Sequence, residues 1–116
     1  MNKKFVVKEI KTLTEGKHNG VIVNIEYRDE PYNYADMIIE AEGATLKCGY
    51  PAFVAKDSKL GTLLERFGAT ITVGAEIELE KVLVGKKCTF LTMMEKNVKN
   101  GKTYTKIISD TLKPLA

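Results

Sequence analysis

The sequence has no tryptophan, a single histidine (His18) and only two cysteines, Cys48 and Cys88, forty positions apart. With one imidazole, no Ser/His/Asp or Cys/His catalytic set can be assembled with support from spacing. No CxxC or Cys/His pairing of the kind that holds structural zinc is present either. Both cysteines sit in apolar, strand-like stretches, where a thiol acts as a small buried hydrophobe; a bridge between them is the lesser expectation in a reducing cell. No apolar run is long enough to cross a bilayer, and Met1 to Lys4 is followed only by Phe5, Val6 and Val7, far short of a signal-peptide core. A soluble, cytoplasmic protein with no membrane partner is expected. A phosphate-cradling loop is missing too, because Gly61 falls inside a helical pattern and Gly85-Lys86-Lys87 lacks the rest of a P-loop. The acid pair Asp29-Glu30 and the alternating Glu76, Glu78 and Glu80 read as solvated charge rather than as acid–base or metal groups. Neither catalysis, a cofactor nor a metal is expected.

What is present is one domain's worth of core in 116 residues, 44% hydrophobic and 28% charged, a globular composition. The net charge of +3 is unevenly placed. Residues 1–20 carry +3, residues 21–80 carry −6, and residues 81–116 carry +6, with eight lysines against Glu95 and Asp110. Such a separation steers a polyanion to one side of a small surface; the plainer alternative is lysine-rich strand edges that discourage aggregation.

Periodicity organises the chain. Residues 1–15, with Phe5, Val6, Val7, Ile10 and Leu13, fit neither period and form an arm or a short leading strand. From Gly16, a first strand runs to about Tyr27, with Val21, Val23 and Ile25 alternating with Ile22, Asn24 and Glu26. Residues 28–33 form a proline-containing loop. In a second strand Ala35, Met37, Ile39 and Ala41 make the inner set against Tyr34, Asp36, Ile38 and Glu40. Glu42-Gly43-Ala44 is short enough for a hairpin turn, and a third strand covers residues 45–50 up to Pro51. One helix follows, with Leu60, Leu63, Leu64 and Phe67 on one stripe, Ser58 as N-cap and Gly68 as stop. Residues 69–86 read as an irregular connection with a strand-like piece around 77–83. A fourth strand spans 87–95 and a fifth 102–109, joined through the turn signal Asn100-Gly101.

This order, all-β with one helix between strands three and four, is that of the OB-fold, a five-stranded Greek-key barrel. The texture also resembles small phage and archaeal OB-fold proteins, several of which bind single-stranded DNA. The likeness is carried by Glu15-Gly16 before the first strand, Leu63-Leu64-x-x-Phe67-Gly68 at the helix end, Leu83 to Cys88 entering strand four, and Gly101-Lys102-x-Tyr104 entering strand five. It covers roughly residues 15–114; the OB-fold domain is expected over 16–114, with 1–15 as the arm or short leading strand.

The resemblance implies a nucleic-acid site on strands two and three, between the loop joining strands one and two and the loop joining strands four and five. The first loop brings Tyr27, Arg28, Tyr32 and Tyr34, and the second brings Lys96, Lys99 and Lys102. Tyrosine rings stack on bases of any identity and lysines neutralise phosphates. Lys47 faces out by parity. Tyr50 either extends the stacking surface or belongs to the core with Leu46 and Cys48. Phe53 is expected to plug the space beneath the helix rather than serve as a base platform. At least one of Tyr32 and Tyr34 is expected to meet ligand, the alternative being tyrosines packed on a barrel rim. Asp36 and Glu40 on the Tyr34 face count against a long phosphate track there. The expected function is single-stranded DNA binding with little sequence preference, in replication or recombination, with RNA left open. The competing class is a protein-interaction or homo-oligomerisation module that uses strand four, where neither parity is cleanly polar.

Overall fold

β1 (Gly16–Arg28) is long enough to serve two neighbours. From Gly16 to Val21 it pairs antiparallel with β4 (Lys87–Lys96), and from Val21 to Arg28 with β2 (Tyr34–Ala41). The two pairings meet near Gly20, where β2 comes so close that a Cβ would stand 2.7 Å from the Glu40 carbonyl oxygen. The register then slips between Ile22 and Asn24, leaving Val23 as the extra residue of a bulge. This corrects the expected grouping of Val21, Val23 and Ile25 on one face. Ile22 before the bulge and Ile25 after it both enter the core, while Val23 is 37% exposed, because one inserted residue inverts a two-residue period.

The structure, a computed structural model, describes residues 3–5 and 13–115. The expectation of an arm or leading strand rests largely on Val6, Val7 and Ile10, which lie outside the described residues. Leu13 is in the core, and the carbonyls beside it are held by hydroxyls: Thr105 donates to Leu13 O at 2.7 Å and Thr92 to Thr14 O at 2.7 Å.

β2 and β3 (Ala44–Pro51) form the expected hairpin. Ala41 pairs with Ala44 across Glu42 and Gly43, both at positive φ, the backbone a two-residue hairpin turn requires. The inner set Ala35, Met37, Ile39 and Ala41 is buried as the alternation predicts. α1 (Lys59–Arg66) also follows its sequence signals, since the Ser58 hydroxyl accepts from Gly61 N–H at 2.9 Å and Leu60, Leu63 and Leu64 are fully buried. Each of these leucines contributes about 1.5–3 kcal/mol of burial.

Two α-helices are present among the described residues rather than one. The piece expected as strand-like is α2 (Leu79–Leu83), which places Leu79 and Leu83 one turn apart against the core. β4 continues into a hairpin with β5 (Thr103–Ile107), and after a 3₁₀ turn at Ser109–Thr111 the chain adds β6 (Lys113–Pro114) to β4 at Cys88 and Thr89. The result is one open antiparallel sheet in the order β3-β2-β1-β4-β5, with β6 also on β4, six strands among the described residues in place of the expected five. β3 and β5, at the two ends of that path, approach each other without a ladder. Tyr50 spans this seam, its hydroxyl donating to Ser109 O at 2.8 Å. Cys48 and Cys88 are both buried and unbridged, and burial pushes each thiol up to about 11.

Candidate nucleic-acid interface

The outward face of β1, β2 and β3 is built from matched rows. Arg28 lies beside Tyr34 and Pro51, and Glu26 beside Asp36 and Gly49. Arg28 donates to both oxygens of Asp36, at 2.6 Å from Nε and 2.9 Å from Nη2, and its guanidinium carbon stands 5.0 Å from the centre of the Tyr34 ring. The Asp36 side chain is only 7% exposed, so the bidentate partner is what makes a buried carboxylate tolerable. Gly49 opposite leaves the room. A Cβ there would sit 2.7 Å from Asp36 Oδ1 and 3.3 Å from the Tyr34 ring.

Lys47, expected to face out, is exposed, and its ammonium reaches Glu26 at 3.1 Å across β2. Arg28 and Lys47 are therefore both paired within the sheet, and Glu40 adds an exposed acid. The face carries no free row of phosphate ligands, in line with the warning given by Asp36 and Glu40.

Tyr27, Tyr32, Tyr34 and Phe53 lie towards the Arg28 end of β1. A cleft of about 400 Å³ opens there, with Tyr27, Arg28, Asn33, Tyr34 and Ala52 in its walls. Ala52 N–H donates to Asn33 O at 2.9 Å, which ties the chain leaving β3 to the β1–β2 loop. Tyr32 and Phe53 each follow or precede that bonded pair by one residue, and they are 73% and 66% exposed. Phe53 is thus not the plug beneath α1 that was expected; Leu60, Leu63 and Leu64 fill that space without it. Tyr27 is 56% exposed and its hydroxyl donates to Glu80 at 2.7 Å. Partial burial and this acceptor push the phenol up to about 12.

Tyr50 is removed from the stacking surface. It is 2% exposed, and its parity with Leu46 and Cys48 puts it inside. Burial raises its phenol far above the ordinary range.

Lys96, Lys99 and Lys102 are exposed on the β4–β5 hairpin and make no ion pair among the described residues. Glu95, the acid beside them, takes the Tyr104 hydroxyl at 3.0 Å and Lys106 at 3.3 Å, bonds that hold its carboxyl below the usual range. The ladder sets this hairpin beyond the Gly16 end of β1, whereas the tyrosine loop lies beyond the Arg28 end. No hydrogen bond or ion pair among the described residues joins the two groups.

Sequence reasoning missed Phe53 as an exposed ring, Asp36 as the anchor of Arg28, and Glu80 as the partner of Tyr27. Only the Arg28/Asp36 pair left a signal, a cation and an acid of equal parity on neighbouring strands. Among the described residues, no group of three or more His, Cys, Asp or Glu is placed to hold a metal, and no helix is long and apolar enough to cross a membrane. No protein-family model matches the chain, and no curated protein matches it.

Proposed function

We propose that this protein is an OB-fold module that binds single-stranded DNA with little sequence preference, in replication or recombination. The observation that carries the reading is the exposure of two rings, Tyr32 and Phe53, each one residue from the Asn33–Ala52 hydrogen bond, whose two residues line the cleft with Tyr27 and Tyr34. Aromatic faces in water at a loop junction suit base stacking, which is indifferent to base identity. The OB-fold assignment is supported by the strand order β3-β2-β1-β4-β5, by α1 between β3 and β4, where α2 follows it, and by the approach of β3 to β5. The unpaired lysines of the β4–β5 hairpin supply the electrostatic part of binding. Titration with a thirty-mer of thymidine at low salt, followed by tyrosine fluorescence that no tryptophan masks, tests this reading. Saturable quenching is expected, and no change overturns it. The same titration with a uridine thirty-mer separates DNA from RNA preference.

One observation favours the second reading, a homo-oligomeric or protein-binding module. Leu91, Met93 and Met94 of β4 are each about 40% exposed. Light scattering with and without oligonucleotide distinguishes the two, because a stable oligomer indifferent to DNA belongs to the second.

A further inference from the structure

A cleft of about 370 Å³ opens on the surface of β4 where α1 ends and β6 begins, and three cations line it: Lys17, Arg66 and Lys113. Lys17 lies opposite Leu91 on one side of β4, and Lys113 opposite Thr89 on the other. Leu91 and Thr89 are two residues apart and share a face, so both lysines project from that face. Strand spacings put their Cα atoms about 12 Å apart on a diagonal, a gap two extended lysine side chains close from either side. Arg66 comes from the last turn of α1 and donates through Nη1 to Leu112 O at 3.2 Å, next to Lys113. That bond fixes the guanidinium and leaves its remaining N–H groups available.

Asp110 is the one carboxylate lining the cleft among the described residues, and the balance remains +2. None of these four groups forms an ion pair among the described residues, unlike Arg28, Lys47 and Lys106. The chain has only two arginines, and Arg28 is committed to Asp36. Arg66 is therefore the arginine whose planar fork remains for a tetrahedral anion. The basic opening and closing segments of the sequence meet here, through Lys17 and Lys113.

We propose that this cleft is a phosphate-binding site, with Arg66 as the oriented fork and Lys17 and Lys113 as flanking charges. The phosphate comes either from a nucleic-acid backbone or from a free phosphate compound. The site stands independently of the tyrosine end.

Amide NMR of the intact protein, titrated with inorganic pyrophosphate and separately with the thymidine thirty-mer against chloride at matched ionic strength, tests it. Saturable shifts at Thr89, Leu91 and Lys113 are expected with at least one ligand. Shifts there with the oligonucleotide assign the site to a strand backbone, and shifts with pyrophosphate alone assign it to a free phosphate. Shifts with neither, or shifts spread evenly over the lysine-bearing segments, overturn the proposal. Removing both exposed lysines, as Lys17→Ala with Lys113→Ala, is expected to weaken binding about tenfold or more, given the strength of charge-assisted hydrogen bonds. Loss of oligonucleotide binding in a Tyr32→Ala variant leaves the pyrophosphate shifts in place, so failure of the tyrosine site and failure of this one are distinguishable.

Discussion

Arg28 holds both carboxylate oxygens of Asp36, eight residues away in sequence and diagonal to it across the β1–β2 ladder. The pair lies over Gly49 on β3, and among the described residues no other side chain donates to the acid. A buried carboxylate, a half-exposed arginine and a glycine thus form one unit, and it fixes the Tyr34 ring against the guanidinium.

Gly49→Ala is expected to destabilise the fold by about 1–3 kcal/mol, because the new methyl overlaps Asp36 Oδ1 while Arg28 prevents the carboxylate from turning away. The cost should shrink when Asp36→Ala has already removed the obstacle. Urea denaturation of both single variants and the double variant measures the coupling. Additive effects would show that the glycine has some other purpose.

Tyr32→Ala and Phe53→Ala are each expected to weaken oligonucleotide binding by about 1–3 kcal/mol per base stacked, similarly for thymidine, adenosine and cytidine strands. The salt dependence should not move, since a ring stacked on a base neutralises no phosphate. Tyr50→Phe, by contrast, should leave affinity unchanged and lower stability by about 1 kcal/mol, through loss of the bond to Ser109 O. If Tyr50→Phe impairs binding as much as Tyr32→Ala does, the division between core and rim is wrong.

The parts of the fold legible in the sequence are those set by local periods and caps. β2 has an unbroken alternation from Tyr34 to Ala41, and α1 has Ser58, a leucine stripe and Gly68, so local signals mark both to within a residue. The parts that escaped depend on distant contacts. The bulge at Val23 inverts the β1 faces where β2 crowds Gly20, and nothing in residues 16–28 reports that approach. α2 is too short for a helical period to outweigh the alternation of Glu76, Glu78 and Glu80 with Ile77 and Leu79. β6 is two residues long and exists only through its bonds to Cys88 and Thr89. At the candidate site, the tyrosine cluster was visible as a cluster, but the exposure of Phe53 and the burial of Tyr50 follow from where the chain leaves β3.

The two classes of lysine should differ in the salt dependence of binding. Lys99, exposed and unpaired among the described residues, is expected to reduce the slope of log affinity against log salt by about 0.7 when changed to alanine. Lys47 is held by Glu26, so Lys47→Ala releases few counterions and should leave the slope nearly intact. Equal slopes in wild type and Lys99→Ala would place the DNA away from the β4–β5 hairpin.

His18 gives a pH dependence whose sign follows from its partners. Its Nε2 faces the Thr14 carbonyl at 2.6 Å and its Nδ1 faces the Glu42 carboxylate, and both partners accept only. An imidazolium alone donates from both nitrogens. The Thr14 bond, with the Glu42 bond and charge, outweighs burial and raises the group above its ordinary 6.5. A raised folded-state value means the contribution is fully present below the unfolded value near 6.5 and is lost as pH climbs through the folded one. Stability to urea should therefore fall with rising pH in wild type more than in His18→Gln, over the interval starting near pH 6.5. NMR titration of the His18 ring locates the folded value directly. A value below 6.5, or parallel pH profiles for the two proteins, would mean that His18 does not clamp Thr14 to the β2–β3 turn.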